Sequence, residues 1–381
     1  MAIDLTDLTS LPDPYRIEMA QGPLDATVRV PGSKSITNRA LVCAALATGT
    51  SVLEGALFAD DTYAMVSVLR ALTISVDSDP DLTRITVVGT GGTVPASEDL
   101  IDVRQSGTTA RFALPMLALG EGNYRVTADE QMQSRPMDAT FAALREMGAG
   151  IEELGATNHL PATVSGGVFR SGVLSMPGDI SSQYLSGLLL VGPCLADGLI
   201  IELTTNLVSR PYVDLTVAVM KQFGAVVDQP DAHTFAVAPG GYRGCTYPIE
   251  PDASAASYPL AAAAICGGRV RVQGLPGDAL QGDAQFAEVL RAMGATVVRD
   301  EFGTEVRAEG GTLSGGTFDL THISDTAQTL AVVAPFATEP ITVTGIGFIR
   351  RKETDRVAAV ASELSRAGID VRVDPDGWTI T

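Results

Sequence analysis

Apolar positions recur at helical spacing in several stretches of the chain, stop at a glycine, and give way to a short β-branched run. The pattern is seen in Leu144-Arg145-Glu146-Met147-Gly148-Ala149, Met220-Lys221-Gln222-Phe223-Gly224-Ala225, Leu290-Arg291-Ala292-Met293-Gly294-Ala295 and Leu364-Ser365-Arg366-Ala367-Gly368-Ile369. An earlier copy, Val68-Leu69-Arg70-Ala71-Leu72-Thr73, carries threonine where the others carry glycine. Glycine after the last helical turn supplies a left-handed C-cap, and the run after it favours a strand. The stops recur about 75 residues apart, a period that marks internal repeats.

Other helical stretches are rich in small residues suited to close packing, as in Ala40-Leu41-Val42-Cys43-Ala44-Ala45-Leu46-Ala47 and Tyr258-Pro259-Leu260-Ala261-Ala262-Ala263-Ala264. The pattern predicts five α/β units buried through helix–helix and helix–sheet contacts. Glycine and proline clusters at Gln21-Gly22-Pro23 and Ala238-Pro239-Gly240-Gly241 mark two expected crossings between domains.

A length of 381 residues fits two domains with sizeable cores, and 45% hydrophobic content excludes wholesale disorder despite a net charge of −19. That charge argues against nucleic acid or an anionic membrane as a partner. No apolar run approaches the ~20 residues of a membrane helix. The start, Met1-Ala2-Ile3-Asp4-Leu5-Thr6-Asp7, lacks the features of a secretory signal, so a cytoplasmic location is expected. Cys43, Cys194, Cys245 and Cys266 are scattered and read as buried reduced thiols. His159, His233 and His322 form no ligand cluster, so no metal site is expected.

Lysine is scarce: of 26 basic residues only Lys34, Lys221 and Lys352 are lysines. Two of these sit in dense polar motifs. Pro31-Gly32-Ser33-Lys34-Ser35-Ile36-Thr37-Asn38-Arg39 feeds a helix and offers backbone N–H groups, hydroxyls and two cations at its start. This is chemistry that binds anions, although it lacks Walker A spacing. Arg104-Gln105-Ser106-Gly107-Thr108-Thr109-Ala110-Arg111, Ser181-Ser182-Gln183-Tyr184 and Ser209-Arg210-Pro211-Tyr212-Val213-Asp214 repeat the style, and Arg135 precedes a further helix. Simple capping accounts for each loop alone. Together, in so acidic a chain, they suggest several helix dipoles aimed at one anionic ligand.

The densest charge cluster is Arg350-Arg351-Lys352-Glu353-Thr354-Asp355-Arg356, where cations oppose the dipole of the helix that follows. A bound anion or a salt-bridge network has to compensate. Upstream, Asp325 opens an apolar helix as a cap or first-turn acid.

The strings PGSKSITNRALVCAALA, SGTTARF, SRPM, SSQYLSGLLL, SRPYVDLT, DASAASYPLAAAAI and RRKETDR, in this order, resemble the 5-enolpyruvylshikimate-3-phosphate synthases of the shikimate pathway. The resemblance implies a two-domain, inside-out α/β barrel of repeated α/β units, with helices in the middle and sheets outside. It implies a discontinuous first domain, residues 1–22 and 241–381, around a second domain, residues 23–240. It also implies transfer of the enolpyruvyl group of phosphoenolpyruvate to the 5-hydroxyl of shikimate 3-phosphate, without metal or organic cofactor, by a monomer. Glyphosate is expected to compete with phosphoenolpyruvate. Relative to the family, the chain stops at Thr381 with its sixth unit incomplete and without the family's Asp-His-Arg-type motif and late lysine.

By the same resemblance, Lys34, Ser35 and Arg39 contact shikimate 3-phosphate, with Lys34 also reaching phosphoenolpyruvate. Ser181, Ser182 and Ser209 hold the ring phosphate, and Gln183 lies between the substrates. Gly107, Arg135 and Arg356 bind phosphoenolpyruvate. Asp325 deprotonates the attacking hydroxyl, Glu353 handles the methylene proton, and Lys352 stabilises substrate beside them. Two alternatives are carried: the related UDP-N-acetylglucosamine enolpyruvyl transferase reaction, and a non-catalytic shikimate-3-phosphate-binding protein. PGSKS, RKETDR and the lack of a cysteine in the loop after Arg111 argue against the first.

Overall fold

A computed structural model describes residues 16, 19–167, 169–310 and 313–381. The N-terminal stretch read above, and most of the expected first segment of residues 1–22, lie outside the described residues.

The repeat is local chemistry repeated five times. Gly148, Gly224, Gly294 and Gly368 all adopt positive φ after their helices. In each copy the backbone N–H of this residue bonds the carbonyl three back, and the next N–H bonds the carbonyl five back. Gly148 thus donates to Arg145 and Ala149 to Leu144, at 3.0 and 2.9 Å. This satisfies the orphan carbonyls of the last turn. Thr73 makes the same bonds, to Arg70, with Ile74 donating to Leu69, and holds φ 58° to do so. A β-branched residue in that region is strained.

Each stop leads into a four-stranded sheet, and among the described residues five such sheets share one wiring. Ile101–Asp102 runs parallel to Asn123–Thr127, which is antiparallel to Ala162–Ser165, itself antiparallel to Gly150–Glu153. The small-residue helices sit inside. Every residue from Ile36 to Leu46 of the helix Lys34–Leu46 is buried, as is all of the helix Gly107–Ala118. The latter packs on Ser182–Val191, where a Cβ on Gly187 would lie 2.2 Å from the Arg111 carbonyl oxygen. Only glycine permits that approach.

Two hydrophobic cores form, one from Ile36 to Ile249 and one from Ala253 to Ile380. The chain exchanges strands between them. Leu24–Val28 pairs with Gly268–Gln273 of the second core, whereas Thr246–Pro248 pairs with Thr50–Glu54 of the first. The crossings therefore lie at residues 29–33 and 249–252, later than the expected boundaries at 22/23 and 240/241. Glycine and proline there mark turns, while strand pairing sets the joint. The two crossings bond each other: Ser33 N–H donates to the Glu250 carbonyl and Asp252 N–H to that of Pro31, both at 2.8 Å. Asp252 then accepts from Lys34 N–H with one carboxylate oxygen and from Ala255 N–H with the other. One side chain thus caps the helices on both sides of the joint.

The cysteines differ in part from expectation. All four are free, but only Cys43 is buried, and Cys266 is exposed at the end of the helix Ala253–Cys266.

Candidate active site

Three capped helix starts from the first core converge on the crossing region. Ser33 caps Lys34–Leu46 through Ile36 N–H, Ser106 caps Gly107–Ala118 through Thr109 N–H, and Ser181 caps Ser182–Val191 through Gln183 N–H. The residues just past the caps, Lys34 and Ser35, Gly107 and Thr108, Ser182 and Gln183, line a cleft of about 620 Å³. The second core closes the opposite wall with Asp325, Lys352, Glu353 and Arg356. Lys34, Arg39, Arg104, Arg135, Lys352 and Arg356 bring six cations to this cleft against five carboxylates, in a chain of net charge −19. Helix dipoles and excess positive charge point the same way: the ligand is anionic.

The cations are not equivalent. Arg135 has a buried Nε without a partner, and burial, followed by the neighbouring Arg111, lowers its pKa to about 10. It is available to a ligand. Arg39 is committed to the protein: it donates to Thr216 Oγ1 at 2.7 Å, to the Ser35 carbonyl at 2.8 Å and to the Tyr212 carbonyl at 3.0 Å. Burial lowers its pKa also to about 10. Lys34 reaches Asp61 at 3.6 Å, and Asp61 in turn accepts from Ser106 Oγ at 2.6 Å. Arg350, in the densest charge cluster, is spent on Asp355 and on the carbonyls of Asp374 and Pro375. A salt-bridge network thus answers part of the dipole conflict at that helix start.

The carboxylates are held by cations. Asp325 lies in the single turn Ser324–Thr326 and accepts from Arg356 Nη1 at 2.7 Å and from the Tyr212 hydroxyl at 2.7 Å. Burial pushes its pKa up, but Lys352, Arg356 and these hydrogen bonds outweigh it, so the carboxyl stays well below its ordinary range. Glu353 accepts from Arg356 Nε at 2.9 Å, and Arg356 likewise overcomes burial to hold that carboxyl low. Burial lowers the pKa of Lys352, and Asp325 opposes the shift. The Glu353 carbonyl accepts from Gln131 Nε2 at 3.1 Å, a bond between the two cores.

Of the residues singled out from sequence, Lys34, Ser35, Arg39, Gly107, Arg135, Ser182, Gln183, Asp325, Lys352, Glu353 and Arg356 share this cleft. Ser181 and Ser209 are not on its wall. The Ser181 hydroxyl is engaged in its cap at 3.3 Å, and Ser209 is buried at φ 51°. Sequence reasoning missed Asp61, and it quoted Tyr212 and Arg111 within helix-start motifs without giving either a role. Arg111 braces the site from behind, donating to the Gly107 carbonyl and to Gln183 Oε1, both at 3.2 Å. An arginine inside the otherwise uncharged run Gly107–Ala118 was the available signal for it.

A family model for EPSP synthase (3-phosphoshikimate 1-carboxyvinyltransferase) matches residues 19–381. The chain belongs to the EPSP synthase family. It is 42% identical over 365 residues to the 3-phosphoshikimate 1-carboxyvinyltransferase of Nostoc punctiforme, covering 96% of this chain and 85% of that one. Identity to the enzyme of the same name from Yersinia pseudotuberculosis is 41% over 357 residues, covering 93% and 82%. Among solved structures, EPSP synthase from Acinetobacter baumannii superposes with a TM-score of 0.79 at 25% identity, covering 95% of this chain and 82% of that one. The enolpyruvyl transferase NikO from Streptomyces tendae shares the fold, with a TM-score of 0.70 at 17% identity over 94% of this chain and 82% of that one. The repeated four-stranded units are those of the enolpyruvyl transferase fold.

Proposed function

We propose that the cleft between the two cores is where this family member carries out its shikimate-pathway reaction, the 3-phosphoshikimate 1-carboxyvinyl transfer. The observation that carries the site assignment is the pairing of Arg356 with both Asp325 and Glu353, in a cleft where the buried Nε of half-buried Arg135 has no hydrogen-bond partner. Two anionic substrates have to meet there, and the cations and helix starts offset their repulsion in a shielded space.

In this reading, the helix starts at Lys34, Ser35, Ser182 and Gln183 bind shikimate 3-phosphate. Gly107, Arg135 and Arg356 bind phosphoenolpyruvate, and Lys34 and Lys352 stand between. Ser181 and Ser209 act through the backbone they hold, and Arg39 through its clamp on Ser35 and Tyr212. Asp325, kept ionised by Lys352 and Arg356, takes the proton of the attacking 5-hydroxyl as its oxygen bonds to C2 of phosphoenolpyruvate. Glu353 serves the proton that C3 gains. The tetrahedral adduct then loses phosphate from C2 and a proton from C3, giving the enolpyruvyl ether. General acid–base groups of this kind each contribute about 10²–10⁴-fold in rate.

A monomer is the state the family resemblance implies, and sedimentation equilibrium tests it. Among the described residues no helix is long and apolar enough to cross a membrane.

The decisive experiment is phosphate release from phosphoenolpyruvate and shikimate 3-phosphate. Release that requires both substrates, and that falls by at least about 10²-fold in Asp325→Asn and Glu353→Gln with binding retained, is the expected result. Unchanged rates in both variants would sink the assignment.

A further inference from the structure

Behind Asp325 lies a second carboxylate, that of Asp283, which belongs to the Gln-Gly-Asp turn before the helix Phe286–Ala292. Asp283 is buried. One of its oxygens, Oδ2, accepts from the hydroxyls of Ser254 and Tyr212, the latter at 3.1 Å. The other, Oδ1, is buried with no partner at all. The Tyr212 hydroxyl bridges the two carboxylates, lying 2.7 Å from Asp325 Oδ2.

A phenol has one proton and cannot donate it fully to two carboxylates. Two ionised carboxylates sharing it would also leave a buried negative charge with a bare oxygen, an arrangement the interior strongly disfavours. One extra proton resolves both problems. If Asp283 is a neutral acid, its Oδ2–H donates to Tyr212 Oη, and the Tyr212 O–H is then free to point wholly at Asp325.

We infer that Asp283 is a protonated positioning residue which, through Tyr212, aims a hydrogen bond at the catalytic carboxylate Asp325 and shares one proton with it. Moving that proton forward breaks Asp283 Oδ2–H and Tyr212 Oη–H, and forms Tyr212 Oη–H and Asp325 Oδ2–H. One proton is transferred and no charge is created. The charges facing this chain place the proton at rest on Asp283. Asp325 has Lys352 and Arg356 on its far side and an ion pair to Arg356, whereas Asp283 faces the neutral Ser254 and the carboxylate of Asp252 and makes no ion pair among the described residues. Burial, then the charge of Asp325, raises the Asp283 pKa to about 7. Burial, ahead of the two carboxylates, keeps the Tyr212 phenol protonated.

The inference rests on Asp325 being the base, so its test begins where that role is irrelevant. Infrared spectra of the ligand-free protein at pH 6 are expected to show a protonated carboxyl C=O band that vanishes in Asp283→Asn and fades as pH rises past about 7. Absence of that band in the wild type overturns the proposal whatever Asp325 does.

The kinetic arm reads pH. Turnover of the wild type should fall along an alkaline limb near pH 7 as Asp283 ionises. Asp283→Asn, whose amide can still donate to Tyr212, should lose that limb, whereas Asp283→Leu should lose roughly tenfold or more in kcat with KM values moved less than about twofold. Tyr212→Phe should remove the limb as well, and it provides the kinetic test if the Asp283 variants do not fold. A limb that persists unchanged in Asp283→Asn or Tyr212→Phe overturns the proposal. A failure of Asp325 as the base would show instead in Asp325→Asn, which would keep its turnover.

Discussion

Arg356 Nη1 sits 2.7 Å from Asp325 Oδ1 while its Nε and Nη2 hold Glu353 Oε1, so one guanidinium grips both carboxylates proposed for acid–base work. Arg356 is largely shielded, and charge-assisted bonds in such a place are about twice as strong as neutral ones. Removing it leaves Lys352 and the Tyr212 hydroxyl to offset the burial of Asp325. Arg356→Gln should therefore raise the pKa of Asp325. The acid limb of the kcat/KM profile should move to higher pH, because the base then protonates sooner as pH falls. Rates measured from about pH 3 to 8 check this, and an acid limb that lies no higher in the variant than in the wild type would refute it.

Gly107 has no room for a side chain beside two guanidinium groups. A Cβ there would lie 2.3 Å from Arg135 Nη1 and 2.6 Å from Arg111 Nη1. Both atoms end flexible side chains, so the fold can yield. Gly107→Ala is expected to fold normally but to displace Arg135 and raise KM for phosphoenolpyruvate about tenfold, or ~1.4 kcal/mol. The KM for shikimate 3-phosphate should move far less. Steady-state kinetics with each substrate varied in turn separates the two.

Thr73 does the work that glycine does at the four other helix stops, and it is exposed. Left-handed backbone costs a side-chain-bearing residue about 1–2 kcal/mol, partly offset by the chain entropy a new glycine adds. Thr73→Gly should stabilise the first core by roughly 0.5–1 kcal/mol, read as a higher urea midpoint with an unchanged slope. Gly148→Thr, the reverse exchange in the next unit, should lower the midpoint.

Asp283 also predicts a stability profile. Its folded pKa, about 7, exceeds that of an unfolded aspartate, so the neutral form is favoured by folding. The stability it contributes is fully present below the unfolded pKa and is lost as pH rises through the folded one. Asp283→Asn cannot ionise and escapes this loss. The difference in unfolding free energy between variant and wild type should grow in favour of the variant from about pH 4 to 7 and then level off. Denaturant titrations across that range would show no such trend if Asp283 were ionised throughout.

Much of the site was legible because its signals are local. Capping serines, the glycine stops and the polar helix starts act within a turn or two, so Ser106, Gly148 and the start at Lys34 can be read from neighbouring residues. Those features determined the repeat, the five units and the anionic character of the ligand. The resemblance of RKETDR and PGSKS then named the chemistry.

Other relationships depend on contacts that no local pattern encodes. The position of the joint follows from Leu24–Val28 pairing with a strand some 240 residues further on, and not from the glycines near it. Arg39 sits in an anion-binding motif, yet tertiary packing turns its guanidinium toward Thr216 and Tyr212, because a buried charge has to find donors' partners wherever the fold brings them. The same necessity joins Asp283, Tyr212 and Asp325, residues from three segments. Sequence alone determined the units and the charged surfaces they present. Tertiary structure decided which charges face one another, because burial makes each polar atom depend on whatever partner lies within hydrogen-bond reach.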